Sequence, residues 1–236
     1  MAAARARRHD PANFRHGARP LARQLREYDL GPMTETQTPG PNPPHSTPWL
    51  GESLTGRVLI AMPGIGDPRF ERAVILMCIH SKDQTMGLSL NRPVDGLRLR
   101  EVISSLGIPD ADQAPDHAVL EGGPVQKERG FVLHTDDFSA GDASLPIANG
   151  VSLTTTRDAL SALTDPASRP SCALLALGYA GWSPGQLEEE LAANVWLAAD
   201  ADLSLVFDTD YEEKWSRALA KLGVTPDRLS ATGGRA

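Results

Sequence analysis

Two strand-length apolar runs separated by a turn-rich segment constrain the fold of this 236-residue chain more than any other feature of its sequence. Residues 56–62 read GRVLIAM and residues 73–80 read AVILMCIH, with PGIGDPRF lying between them. Apolar and β-branched runs of this length, bounded by glycine and proline, predict buried β-strands. The alternating stretch 86–93 stops at a proline and predicts a hairpin partner for the second run.

The second half of the sequence alternates between strand and helix signals. Thr155, Ser183 and Thr209 each precede an Asp, Gln or Glu by three residues, a spacing that predicts helix N-termini with reciprocating side chains. Asn149-Gly150 predicts a tight type I′ hairpin turn, because both positions of that turn require positive φ. Hairpins followed by strand–helix alternation predict an α+β fold with a mixed sheet. Further strands are predicted at 118–121, 130–134, 144–148, 151–154, 172–179 and 201–207, and helices at 97–106, 156–164, 184–195 and 210–222.

The first 48 residues differ in composition from the rest of the chain. Residues 1–32 are rich in arginine, and residues 33–48 contain five prolines and little apolar surface to bury. This composition predicts residues 1–48 as a disordered basic and proline-rich extension, and residues 49–236 as a single domain. Residues 1–32 are either a transit peptide or nucleic-acid-binding arm, or an extension without function that is absent if translation starts at Met33.

The charge distribution bears on the class of partner. Residues 1–45 contain seven Arg and four acidic residues, a net charge of +3; because the whole chain carries −7, the remainder carries −10. An acidic folded part counts against direct nucleic-acid binding, which depends on Lys and Arg contacts to phosphates.

The apolar runs are much shorter than the ~20 residues that span a bilayer, so no membrane segment is predicted. Cys78 and Cys172 lie in apolar runs and are predicted to be buried free thiols of a cytoplasmic protein.

The segment 178–190, GYAGWSPGQLEEE, contains a G-x-S-x-G pattern typical of a hydrolase nucleophile. In such a site the residue after the serine donates its backbone N–H to the oxyanion, but Pro184 has no N–H. The last histidine, His134, precedes Ser183, whereas the triad of that fold places its histidine after the serine. The sequence instead favours Ser183 as a helix cap with Gln186 as its reciprocal partner, and it predicts no catalytic residue.

A metal site is the second chemical alternative. His80 and His134 each end a predicted strand, and Asp136 and Asp137 follow the second, so a two-histidine, one-carboxylate site is conceivable. Ordinary hydrogen bonding of histidines at strand ends is the favoured interpretation. The sequence lacks the phosphate-binding G-x-x-x-x-G-K-[ST] and G-x-G-x-x-G patterns, and no metal or cofactor is predicted.

Two glycine-containing loops define a candidate ligand pocket. Residues 63–70, PGIGDPRF, carry two charged side chains, and residues 121–125, EGGPV, contain paired glycines that permit close backbone approach to a ligand. A tight structural turn is the favoured interpretation of the glycine pair. If the loops converge, the predicted pocket comprises Asp67, Arg69, Asn91, Arg92, Glu121, Gly122, Gly123 and His134.

Several of these motifs occur together and in one order, which resembles the AlgH/YqgE family over about residues 54–230. The quoted segments are GRVLIAMPGIGDPRF, MGLSLNRP, GGPV, RGFVLH and GYAGWSPGQLEEE, followed by a tryptophan-containing helix near the C-terminus. The resemblance implies an α+β domain with a bifurcated sheet curled into a pseudo-barrel and packed helices. It implies no activity, cofactor or catalytic residue, because the family has none established. The family's name reflects a proposed role as a transcriptional regulator.

Three hypotheses on function follow. The leading one is a non-enzymatic cytoplasmic regulatory or interaction protein with a protein or small-molecule partner. A direct DNA-binding regulator is opposed by the acidic folded part and by the lack of a helix-turn-helix pattern. The third is a small-ligand-binding protein or enzyme with a pocket at the glycine-containing loops.

Overall fold

The computed structural model describes residues 53–148 and 150–229. These residues form ten β-strands and five α-helices. The predicted extension over residues 1–48 and Asn149 of the predicted turn lie outside the described residues. The strands are β1 (Arg57–Ala61), β2 (Val74–His80), β3 (Thr85–Ser89), β4 (Pro93–Arg98), β5 (Ala118–Glu121), β6 (Val125–Thr135), β7 (Ser144–Ala148), β8 (Val151–Thr154), β9 (Ala173–Trp182) and β10 (Trp196–Asp200). The helices are α1 (Leu99–Ser105), α2 (Arg157–Ala162), α3 (Gln186–Ala192), α4 (Leu203–Val206) and α5 (Lys214–Lys221).

The strands form one curled sheet, a half-barrel, in the order β10-β1-β2-β3-β9-β6-β8-β7. Neighbours along this path are antiparallel. The sheet branches at β9, because β5 pairs parallel with its middle, Leu120 opposite Ala176, and carries β4 on its other side. The mixed α+β class predicted from the sequence is therefore confirmed.

Both faces of the sheet are covered, which explains why β2 is apolar at every position from Val74 to Ile79. Val74 and Leu76 join the largest core cluster, to which α5 contributes Trp215. Ile75, on the opposite face, packs in a cluster that includes residues of β10 and α3. A third cluster places α1 and α2 against β6 and β9. A strand buried on both faces needs apolar side chains at every position rather than at alternate ones.

The predicted hairpins at 73–93 and 144–154 are confirmed as the pairs β2–β3 and β7–β8, and Gly150 has φ 79°. The predicted strand over 201–207 is wrong, because this segment forms α4. The Asp202 side chain accepts a hydrogen bond from Leu205 N at 2.8 Å and caps that helical turn. The predicted helix over 97–106 begins at Leu99, after β4, which the sequence did not predict. β10 was also not predicted; its five residues pair with β1 in unbroken register.

The two cysteines lie in different environments. Cys78 is buried, as predicted, and burial raises the pKa of its thiol to about 12. Cys172 is exposed, so the prediction that it is buried is wrong; it lies just before the first residue of β9. Both are free thiols.

Across the described part of the chain, no helix combines the length and apolarity that crossing a membrane requires.

Candidate functional site

The G-x-S-x-G segment is a structural junction between β9, α3 and β10. Trp182 Nε1 and Trp196 Nε1 both donate to Glu190 Oε2, at 2.9 and 2.7 Å. Gln186 Nε2 donates to the other carboxylate oxygen of Glu190 at 2.8 Å. One carboxylate on α3 thus ties the end of one strand to the start of another, and both indole rings are buried.

Ser183 lies in the turn that enters α3. Its backbone N–H donates to Gln186 Oε1 at 3.0 Å, which is the reciprocal half of the predicted cap. The N-cap residue is Gly185, with φ 80°, so the prediction that Ser183 caps the helix is wrong. Thr155 and Thr209 are not N-caps either, because α2 follows Thr156 and α5 follows Glu213. No imidazole hydrogen-bonds Ser183 within the described residues, and a serine without a base is a weak nucleophile.

His80 and His134 both use their two ring nitrogens within the protein. His80 Nδ1 accepts from Leu54 N at 3.0 Å, so Nε2 carries the proton and donates to Glu188 Oε1 at 3.1 Å. His134 Nδ1 donates to the Thr135 carbonyl oxygen at 2.9 Å, and Nε2 accepts from Thr154 Oγ1 at 2.8 Å. His134 is fully buried, and burial lowers its pKa below the usual value. These bonds favour the ordinary hydrogen-bonding interpretation of both histidines. Among described residues, no three His, Cys, Asp or Glu side chains are grouped to hold a metal.

A cleft of about 310 Å³ lies between the single-turn helix at Pro68–Phe70, the end of β3 and the segment that joins β5 to β6. Pro68, Phe70 and Pro124 provide apolar walls. We call this the Ser89–Arg92 cleft, after the two residues that distinguish it. Its remaining lining residues are Arg69, Ser89, Arg92, Glu121, Gly123 and Lys127.

The structure brings together part of the predicted residue set. Arg69, Arg92, Glu121 and Gly123 line the cleft, whereas His134 does not. Asp67, Asn91 and Gly122 are not lining residues either, but each holds a neighbouring part of the site in place. Ser89 and Lys127 were missed by sequence reasoning.

Asp67 fixes the position of Arg69. Its carboxylate accepts from the Arg69 backbone N–H at 3.0 Å and from the guanidinium Nη2 at 2.6 Å. These hydrogen bonds from Arg69 lower the pKa of Asp67, and the positive charge of Arg92 lowers it further. The pair lies at the surface, where solvent screens it, so it serves to position Arg69 rather than to stabilise the fold.

Asn91 and Arg92 fasten the loop before β2 onto the sheet. Asn91 Oδ1 accepts from Val74 N at 2.9 Å, and its Nδ2 donates to the carbonyl of Arg72 at 2.8 Å. Arg92 Nη2 donates to the carbonyls of Pro68 and Glu71, both at 3.0 Å. Two backbone carbonyls therefore hold the Arg92 guanidinium in place.

The glycine pair is needed for contact between backbones. A Cβ added at Gly122 would overlap the carbonyl oxygen of Gly178, and one added at Gly123 would overlap the backbone of Tyr179. Gly122 N also donates to the Leu177 carbonyl at 2.8 Å. The glycines thus allow the β5–β6 loop to lie directly on β9, which supports the structural interpretation of this turn.

Two polar atoms of the cleft lack a hydrogen-bond partner in residues 53–148 and 150–229. Ser89 is 1% exposed. Its buried Oγ and the buried Nε of Arg92 have no hydrogen-bond partner among the described residues. An unpaired buried donor costs about 1–3 kcal/mol, so native proteins rarely retain one without a reason. The other charged lining groups are paired, Arg69 with Asp67 and Lys127 with Glu121.

A larger cavity, of about 420 Å³, is lined by four charged groups: Asp202, which caps α4, Asp208 in the loop after α4, and Arg217 and Lys221 of α5. Asp202 pairs with Lys221, and Asp208 pairs with Arg217. Since these charges already satisfy one another, the Ser89–Arg92 cleft is the stronger candidate site despite its smaller volume.

The fold and the site define a class of protein: an α+β domain with a curled, branched sheet and a small polar cleft at the loops beside its second and third strands. The AlgH-like family model matches residues 58–227. The chain belongs to the AlgH-like family, which confirms the resemblance seen in the sequence.

Curated relatives and solved structures agree with this assignment. A UPF0301 protein of Caulobacter vibrioides is 62% identical over 186 residues, covering 79% of this chain and 95% of the relative. The solution structure of the AlgH protein from Pseudomonas aeruginosa is 39% identical, with a TM-score of 0.61, over 82% of this chain and 100% of that one. The crystal structure of protein DIP2367 from Corynebacterium diphtheriae is 25% identical, with a TM-score of 0.59, over 72% and 87% of the two chains.

Proposed function

We propose that this protein is a non-enzymatic cytoplasmic regulatory protein that binds a small molecule in the Ser89–Arg92 cleft. The observation that carries the proposal is a pair of buried polar atoms, Ser89 Oγ and Arg92 Nε, that have no hydrogen-bond partner in the described part of the chain and belong to residues lining one concave site. Small-molecule sites combine apolar walls with a few polar groups that fix orientation. This cleft has both.

Binding is favoured over catalysis by the chemistry of the lining. Acyl transfer or hydrolysis at Ser89 needs a base within hydrogen-bond reach, and no described residue hydrogen-bonds its Oγ. Glu121, the one carboxylate among the lining residues, accepts from Lys127 Nζ at 2.6 Å. An arginine and a serine can orient and hold a ligand without transforming it.

The location of the cleft supports regulation. Arg92 holds the loop that contains Pro68 and Glu71, so a ligand that engages Arg92 acts on a link between this loop and the sheet. A ligand that stabilises one conformation of this loop increases the fraction of molecules in that conformation. It thereby changes the surface that a protein partner meets. A transcriptional role, as the family's label proposes, would then act through such a partner, because the residues after the basic N-terminal segment carry −10.

A thermal-shift screen of polar metabolites against the full chain tests the proposal. Arg92→Gln is the test variant. Arg157→Gln is the matched control, since exposed Arg157 also donates to a backbone carbonyl, that of Leu106, but does not line the cleft. We expect at least one compound to raise the melting temperature of the wild type and the control variant, and to have little effect on Arg92→Gln. A screen without such a compound would refute the proposal.

A further inference from the structure

We infer that the ligand of the Ser89–Arg92 cleft carries an oxyanion, a carboxylate or a phosphate ester, bound by Arg92 Nε and Ser89 Oγ. This inference rests on the proposed function and names its ligand class.

The charges at the cleft leave one cation without an ion-pair partner. Arg69 and Lys127 each form an ion pair with a carboxylate, Asp67 and Glu121. Arg92 donates to two neutral carbonyls, and within the described residues it forms no ion pair. The site therefore has an excess of one positive charge, and a ligand with one anionic group neutralises it.

Both free groups of the cleft are able to donate a hydrogen bond. The Arg92 Nε–H can only donate, and the Ser89 hydroxyl, which can donate or accept, is able to donate to the same group. A ligand that offers two acceptor oxygens, as a carboxylate or phosphate does, therefore satisfies both. Hydrogen bonds from a guanidinium to an oxyanion are charge-assisted and about twice as strong as neutral ones. Since two carbonyls already hold the Arg92 guanidinium, binding immobilises little additional side chain.

The size of the cleft limits the ligand to a small molecule. A volume of about 310 Å³ is at the lower end of the roughly 300–1,000 Å³ found for small-molecule pockets. Phe70 and the two prolines of the wall favour an apolar or ring-shaped portion beside the oxyanion. The ligand is therefore a small organic acid or phosphate ester with an apolar part.

Lys127 distinguishes the two sources of the oxyanion. Its side chain is 63% exposed, and its ion pair with Glu121 is a solvent-screened surface pair that is easily exchanged. A phosphate ester, with close to two negative charges, recruits Lys127 in addition to Arg92. A carboxylate is satisfied by Arg92 and Ser89 alone.

Amide chemical shifts of the full chain, titrated with benzoate, phenyl phosphate and the neutral benzamide, test the inference. At least one anion is expected to shift the amides of Ser89, Arg92 and Gly123 saturably, whereas benzamide leaves them unchanged. We expect Arg92→Gln to weaken binding about tenfold or more, equivalent to about 1.4 kcal/mol. Lys127→Gln is expected to weaken phenyl phosphate alone, and an effect on benzoate as well would contradict the separate role of Lys127.

Three results would overturn the inference. Binding of benzamide at the cleft with the affinity of the anions would show a ligand site that does not select charge, which leaves the proposed function intact. Shifts confined to the Arg-rich residues 1–32 would show non-specific anion binding. If neither anion shifted the amides, a ligand with an oxyanion would be excluded. The proposed function would be refuted only if the metabolite screen found no compound. Ser89→Ala serves as a second variant, because Arg92→Gln also releases the loop, and unchanged anion affinity in Ser89→Ala would contradict the assigned role of Oγ.

Discussion

Replacing Ser89 by alanine should stabilise the protein, which is the opposite of the usual effect of a buried substitution. Ser89 Oγ is buried without a partner among the described residues, and such a hydroxyl costs about 1–3 kcal/mol. The substitution removes one oxygen and leaves the backbone bond from Ser89 N to the Gly122 carbonyl, 2.8 Å long, in place. After allowing for the small void, we expect the free energy of unfolding to rise by about 1 kcal/mol, or roughly 2–4 °C in melting temperature.

Urea unfolding followed by tryptophan fluorescence measures this change in the absence of added ligand. Ser144→Ala is the matched control, because Ser144 Oγ accepts from Ala140 N at 2.8 Å and donates to Thr154 Oγ1 at 2.7 Å. The control should lose about 1–2 kcal/mol, since its removal leaves partners unsatisfied. A loss of 1 kcal/mol or more in Ser89→Ala would refute the reasoning, because it would show that Oγ is already satisfied in the free protein.

Three further substitutions test three separate features of the fold. Glu190→Ala should lower the free energy of unfolding by about 3 kcal/mol in urea unfolding, because two indole N–H groups lose a shared carboxylate. Gly123→Ala should abolish folding, measured by soluble yield and circular dichroism, because the added Cβ overlaps the backbone of β9. Lys214→Met should remove most of the change in the free energy of unfolding between pH 8 and 10, measured by urea unfolding at several pH values. Burial lowers the pKa of Lys214 to about 8, against the opposing charge of Asp208, whereas the unfolded value is about 10.4. The folded protein loses this proton first, so wild-type stability rises with pH over that range, on the order of 3 kcal/mol.

Matched controls separate these effects from general damage. Glu189→Ala, on the exposed face of α3, should change the free energy of unfolding by less than about 0.5 kcal/mol. An equal loss in both glutamate variants would contradict the role given to the indole bonds. Gly130→Ala should fold, because its added Cβ meets only a side-chain atom at 3.5 Å. Normal folding of Gly123→Ala, or an unchanged pH dependence in Lys214→Met, would contradict the corresponding argument.

The sequence predicted the parts of the fold that have a strong local sequence signal. β2 and the Gly150 turn are examples, since an unbroken apolar run and an Asn-Gly pair allow few conformations. β4 was not predicted because PVDGLR has little apolar character and becomes a strand through its pairing with β5. The segment 201–207 alternates between polar and apolar residues as a strand does. It nevertheless forms the four-residue helix α4, because the Asp202 side chain caps the first turn, and the sequence pattern gives such a short capped turn less weight than the alternation.

The candidate site was predictable only where charge and turn residues coincide. Arg69, Arg92 and Glu121 adjoin punctuated loops, and these loops do converge. Ser89 carries no such signal, because its distinguishing property is the lack of a partner for Oγ, which emerges only when the sheet is assembled. His134 ends a predicted strand, but the neighbouring strand β8 supplies Thr154 as its partner and holds the ring inside the core.

Calorimetric titration with the strongest ligand from the metabolite screen tests the claim that the cleft keeps Ser89 Oγ and Arg92 Nε for a ligand. Wild type and Ser89→Ala are compared as full chains under identical conditions. Ser89→Ala is expected to bind the ligand at least fivefold more weakly although it unfolds at a higher temperature. Equal affinity of the two proteins would contradict the claim, because Ser89 Oγ would then serve neither the fold nor the ligand.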